Sequence, residues 1–183
     1  MPAFQPLRKP IPQVWLMTDP RLGDQLFAAV RRLPAGSGVV FRHYLLDPGA
    51  RRAFFVRLRH ICSQRGHMLI LADTARLASR WQADGFHGRT GGHPKLFHSA
   101  PVHNAHEIRL ARRCGAHVLF LSPLHQTRSH PGQRALGPAQ FARLARLARP
   151  AKVIALGGMS RAHAAKLPKA IAHGWAAIDA FKR

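Results

Sequence analysis

A chain of 183 residues that is 46% hydrophobic carries enough apolar mass for one folded domain, which excludes disorder along its whole length. Its 29 Lys and Arg against 7 Asp and Glu give a formal charge of +22, a field that attracts phosphates and nucleic acids. Cys62 and Cys114 form no CxxC pair, so no disulfide framework is expected and a cytoplasmic setting fits.

Met1 to Pro12 is rich in proline and has no long apolar run, so it does not read as a signal peptide. We read residues 1–13 as an N-terminal extension and 14–183 as one domain. Val14-Trp15-Leu16-Met17 reads as a buried strand. Leu22, Leu26, Phe27, Val30 and Leu33 follow at helical spacing. Val39-Val40-Phe41 opens a second strand running to about Tyr44. Phe54, Phe55, Leu58 and Ile61 mark a second helix behind Pro48 and Gly49. His67 to Leu71 is a third strand, and Ala72-Asp73-Thr74 opens a helix through Trp81. Ala83 to His87 and Leu96 to Val102 read as strands four and five, separated by a loop too short for a full helix. A helix around Glu107 to Cys114 leads to strand six, His117 to Leu121. A long loop, Ser122 to Gly137, precedes a helix with Phe141, Leu144 and Leu147. Lys152 to Leu156 is strand seven, Ser160 caps a short helix to Leu167, and Gly174 to Ile178 is strand eight.

Eight short apolar strands alternating with helices argue for an α/β fold with a parallel sheet. Closed on itself, it is a compact (β/α)8 TIM-type barrel with shortened or missing helices, because such barrels run to ~250 residues. A doubly wound open sheet is the alternative. No apolar run approaches the ~18 residues of a membrane span.

In a barrel, the carboxyl ends of the strands carry the active site. Asp19, Asp73 and Asp179 fall at such ends; Asp73 also suits a helix cap. Asp24 and Asp47 read as turn or cap residues, and Glu107 as a surface helix residue. Gly157-Gly158 after strand seven lets backbone approach an anion closely, the place of the common barrel phosphate site. Among 13 histidines, His43, His87 and His125 sit at strand ends as candidate acid–base or phosphate-contact groups, with a solvated or internally satisfied histidine as the default for each. No HExxH or Cys/His pattern supports zinc.

The segments Trp15-Leu16-Met17-Thr18-Asp19, Val40-Phe41-Arg42, Leu71-Ala72-Asp73, Ala83-Asp84-Gly85-Phe86-His87, Gly115-Ala116-His117-Val118-Leu119-Phe120 and Ile154-Ala155-Leu156-Gly157-Gly158-Met159 occur in that order. With them the chain resembles the thiamine phosphate synthases and their thiazole tautomerase relatives over residues 14 to 181. The resemblance implies a compact barrel that joins a hydroxymethylpyrimidine pyrophosphate to a thiazole phosphate with Mg²⁺, the thiazole nitrogen attacking a pyrimidine carbocation. It gives Arg42 to the pyrophosphate, Asp73 to the metal, Thr127 and His103 to the site wall, and Gly157 and Gly158 to the thiazole phosphate. Departures from the family pattern are Tyr44 and His130 in place of lysines, Ala72 in place of Asn, and Asp179 in place of a phosphate-binding Ser. His87-Gly88-Arg89-Thr90 lacks the family's second metal-binding Asp. His125 lies two residues from the position of the tautomerase histidine, which here is Pro123. Arg89, Arg128 or Arg134 are expected to stand in for the lost lysines.

The expected partners are therefore phosphorylated heterocycles, with a thiamine phosphate synthase-type transferase activity. The alternatives are a barrel that binds a phosphorylated ligand without catalysis, and a nucleic-acid-binding protein whose affinity falls steeply with salt.

Overall fold

In the computed structural model, the described residues are 9–23, 25–91, 96–126, 132 and 134–181. Eight strands run in chain order: β1 (Val14–Met17), β2 (Gly38–Phe41), β3 (Met68–Leu71), β4 (Gly85–His87), β5 (Phe97–Val102), β6 (Val118–Leu121), β7 (Lys152–Ala155) and β8 (Gly174–Ala177). Each pairs in parallel with the next, and β1 pairs with β8 through Trp15 and Ala176, so the sheet is a closed barrel. That closure rules out the open, doubly wound sheet.

The helices are α1 (Gln25–Arg32), α2 (Pro48–Gln64), α3 (Ala75–Arg80), α4 (Ala105–Arg113), α5 (Gly137–Leu147) and α6 (Arg161–Ala165). Two 3-10 turns, Pro20–Leu22 and Asp179–Phe181, follow β1 and β8. The second stands where a full barrel would have its last helix. Among the described residues no helix separates β4 from β5. The expected shortened ring of helices is thus present.

Strand alternation sorts the apolar residues into two cores. Trp15, Met17, Val40, Met68, Ile70, Phe97, Val118, Phe120 and Ile154 fill the barrel interior. Leu16, Val39, Leu69, Leu71, Leu119 and Val153 face outward and meet the helices. The interior is filled by unusually large rings. Trp15 stacks on Phe97 at 6.1 Å and meets Phe120 edge-on at 5.3 Å. Gly38 faces the indole across β1–β2, and any side chain there would overlap Trp15. The buried indole N–H donates to Pro12 O at 2.8 Å, so no polar atom is stranded.

Residues 9–13 pack beneath the barrel. Trp175 N donates to Gln13 O at 2.8 Å, and Lys9 Nζ lies 2.9 Å from Asp84. Helix caps follow the sequence signals. Asp47 accepts from Ala50 N ahead of Pro48, Thr74 from Leu77 N, Asn104 from Glu107 N and Ser160 from His163 N. The third helix begins at Ala75, because Thr74 and not Asp73 is its cap. The second strand stops at Phe41 and not near Tyr44.

Candidate active site

The carboxyl ends of β1, β2, β5, β6, β7 and β8 surround a cavity of about 380 Å³, lined by Arg42, His103, Ser122, Gly157, Gly158 and Asp179 among others. Five of the ten residues expected from the sequence share this wall: Arg42, His103, Gly157, Gly158 and Asp179. Thr127 lies outside the described residues, as do Asp24, Arg128 and His130.

Arg42 is the residue after β2. Its backbone N donates to Thr18 Oγ1 at 2.9 Å, its Nε to Thr18 O at 2.8 Å and its Nη2 to Asp19 at 3.1 Å. Burial pulls its pKa down, and the charge of Asp19 opposes that shift. Asp19 also takes a two-pronged contact from Arg21, at 2.8 and 3.2 Å. The Arg21 hydrogen bond, ahead of every other cause, holds the Asp19 pKa below the ordinary carboxylate range. Arg21 then reaches Asp179 at 4.0 Å. The order Arg42–Asp19–Arg21–Asp179 is a chain of alternating charge across the ends of β2, β1 and β8. Asp19 is thereby a clamp for two arginines.

His103 follows β5 by one residue. Its Nδ1 lies 2.9 Å from Glu107 Oε2, which also accepts the His103 backbone N–H at 2.8 Å. A carboxylate only accepts, so Nδ1 carries a proton. Burial acts to raise the Glu107 pKa, but the His103 bonds and the Arg89 charge outweigh it and the net shift is down. Glu107 is therefore a positioning residue, a correction to its reading as a bystander on the helix surface. Arg89, 3.4 Å from Glu107, is held there.

The glycine pair follows β7 with φ of +93° at Gly157 and +61° at Gly158. A Cβ at Gly157 would come within 2.6 Å of Pro123 Cα, and one at Gly158 would overlap Gln126 O. Both conformation and space therefore require glycine. The backbone N–H groups of Gly157, Gly158 and Met159 donate to no described residue. They are at the cavity wall, where an oxyanion would satisfy them.

Four expected site residues stand off this wall. His87 turns into the barrel interior, edge-on to Phe120 at 5.1 Å and 2.9 Å from Ser99 Oγ. Burial pushes its pKa down to about 3, so it is a neutral core group and not a phosphate contact. His125 packs on His163 with ring centroids 4.3 Å apart, and His163 Nδ1 donates to Gly158 O at 2.8 Å. His125 supports the glycine loop from behind. Tyr44 is 62% exposed on the loop after β2. Asp73 is held by Arg51, whose Nη1 lies 2.7 Å from Oδ2, while Oδ1 accepts Thr74 N at 2.8 Å.

That last arrangement bears on Mg²⁺. This ion takes oxygen ligands at ~2.0–2.1 Å, usually one or two carboxylates completed by water and phosphate. Here one oxygen of Asp73 is bonded to a guanidinium, Ala72 supplies no side-chain oxygen, and no group of three or more His, Cys, Asp or Glu converges among the described residues. The donor set at Asp73 does not fit the ion.

The closed parallel barrel with its cavity at the carboxyl ends of the strands defines a (β/α)8 barrel protein. The chain belongs to the thiamine monophosphate synthase family, whose model matches residues 14–181. It is 26% identical over 143 residues to a thiamine-phosphate synthase of Bacillus velezensis, covering 73% of this chain and 64% of that protein. The match thus spans less than two thirds of the relative's length. Among solved structures, a thiamine phosphate pyrophosphorylase from Pyrococcus furiosus superposes with a TM-score of 0.76 at 20% identity, over 91% of this chain and 85% of that one. A 2-keto-3-deoxy-6-phosphogluconate aldolase of Zymomonas mobilis shares the fold with a TM-score of 0.60 at 16% identity, over 91% and 81%. These structural likenesses establish the barrel.

Proposed function

We propose that this chain carries out thiamine phosphate synthase chemistry in the cytoplasm, joining a hydroxymethylpyrimidine pyrophosphate to a thiazole phosphate. The observation that carries this reading is the single cavity that runs from Arg42 to the Gly157–Gly158 loop. It offers an arginine to one phosphorylated group and, to another, a row of N–H groups that donate to no described residue. Family membership supports the same assignment.

In this reading the C–O bond between the pyrimidine methylene and the pyrophosphate breaks, and its electron pair leaves with pyrophosphate. The thiazole nitrogen then donates its lone pair to the methylene carbon and closes the new C–N bond. Arg42, fixed by Thr18 and Asp19, stabilises the departing negative charge. The glycine N–H groups hold the thiazole phosphate so that the nitrogen faces the carbon, which turns an encounter in solution into a positioned reaction. His103, locked by Glu107, lines the wall between them.

A second reading, binding of a phosphorylated ligand without coupling, is favoured by Asp179 on the cavity wall, where a carboxylate weakens anion binding. One assay decides between them. Purified protein is given both phosphorylated precursors and Mg²⁺, and thiamine phosphate is quantified. Coupling requires product above a no-enzyme control, lowered by roughly 100-fold or more in Arg42→Ala. Folded protein that forms no product leaves the binding reading.

A further inference from the structure

We propose that Arg51 takes the place of a divalent cation beside Asp73, off the cavity wall, so that a leaving group reaching past Arg42 is bound without metal. The inference rests on the reading above, because it concerns where the departing pyrophosphate lies.

Arg51 belongs to the first turns of α2, a 17-residue helix anchored by the Asp47 cap and Pro48. Its backbone N donates to Asp47 O at 2.8 Å. The guanidinium is held through its two Nη atoms and by three rings. Nη1 bonds Asp73 at 2.7 Å and Nη2 bonds Ala72 O at 3.2 Å, so it grips both residues at the end of β3. The rings of Phe41, Tyr44 and Trp81 lie 5.9, 5.7 and 5.5 Å from its Cζ. The side chain is 11% exposed, and its buried Nε has no partner among the described residues. A permanent positive charge is thus built against the carboxylate that the resemblance gives to a metal. Unlike a metal ion it needs no further carboxylate, and among the described residues no group of three or more His, Cys, Asp or Glu converges here.

The same group fits a diphosphate. A guanidinium stays charged at any working pH and presents paired N–H groups that match phosphate oxygens. Arg51 Cζ lies 5.7 Å from the ring of Tyr44, the residue standing where the family has a lysine, and Arg42 precedes Tyr44 by two positions. Two arginines therefore flank the lysine position. A diphosphate arriving here competes with Asp73 for Arg51, so Asp73 opposes binding instead of supporting it.

Calorimetric titration with pyrophosphate, once in excess EDTA and once in Mg²⁺, tests the proposal on the full chain. We expect the two affinities to agree within about threefold. Arg51→Gln weakens binding by about tenfold or more in both buffers, and Arg51→Lys by less. Asp73→Asn tightens it by about threefold, since the amide still accepts from Arg51 but no longer repels the ligand. Asp73→Asn remains decisive if Arg51→Gln melts out of its fold. Binding that needs Mg²⁺, that disappears in Asp73→Asn, or that is absent in both buffers overturns the proposal. The product assay stays separate. Product that forms only with Mg²⁺ sinks this inference and leaves the function standing, whereas metal-free pyrophosphate binding without product does the reverse.

Discussion

Asp179 puts a carboxylate where the family resemblance implies a phosphate-binding serine. It sits at the start of the last 3-10 turn, on the wall of the cavity, with Arg21 4.0 Å away. At that distance and exposure the arginine offsets only part of its repulsion for a phosphate. Replacing it with the family's serine removes the repulsion and restores a donor. Asp179→Ser should bind thiazole phosphate about fivefold more tightly, near 1 kcal/mol, in a calorimetric titration. Unchanged or weaker binding would mean that the phosphate lies elsewhere. Much of this wall was legible in the sequence. Gly157, Gly158 and Asp179 follow strand ends, which apolar runs mark, while Arg42 and His103 were legible only through the family resemblance. Arg21, Arg51 and Glu107 were not found, for distinct reasons. Arg51 meets Asp73 across 22 residues of chain, which no local pattern announces. The His103–Glu107 spacing of four residues is a signal that helix pairing could have supplied.

In the loop between β7 and α6 a single added atom has a large consequence. Gly158 combines φ of +61° with a backbone neighbour, Gln126 O, that would collide with a Cβ. Alanine there must strain the backbone or push the loop after β6 away, at a cost of about 1–3 kcal/mol. Gly158→Ala should therefore lower the melting temperature and weaken thiazole phosphate binding together. A variant with parental melting and parental binding would contradict the cradle. The strands around this loop were readable because eight apolar runs recur between helical patterns. Their exact ends were not. Gly85 begins β4, since Ala83 and Asp84 bond back to α3 and β3: Ala83 N donates to Ala78 O and Asp84 accepts Leu69 N. Tertiary pairing, invisible locally, trims each strand. The placement of His87 inside the barrel follows from period-two alternation: it lies on the same face as Gly85, and Phe86 lies on the outer one.

At the scale of the whole molecule, acids are scarce and each described one has a structural task. Asp19 and Asp73 clamp arginines, Asp47 caps α2, Asp84 holds Lys9, Glu107 holds His103, and Asp179 faces Arg21. The excess positive charge is carried on exposed helix faces, with Arg109, Arg112 and Arg113 on α4 and Arg143 and Arg146 on α5. Histidines then decide how stability responds to acid. Burial lowers the pKa of His43, His67, His98 and His117, and takes that of His87 to about 3. In the unfolded chain these groups titrate near ~6.5, so between that value and their lower folded values the unfolded state binds more protons. Their contribution to stability is full above ~6.5 and is lost as pH falls below it. Melting followed by circular dichroism should show a temperature that is level near neutrality and drops steadily toward pH 4.5. The drop should flatten in His87→Gln. A midpoint that stays constant or rises on acidification would refute the buried neutral histidines.

The central claim is that one cavity brings two phosphorylated heterocycles together and couples them. The most direct measurement counts both products at once, thiamine phosphate and pyrophosphate, from the two precursors and the folded full chain. The account predicts that they appear in equal amounts and that neither appears when the thiazole phosphate is left out. Pyrophosphate released without thiamine phosphate, or neither product from folded protein, would contradict it.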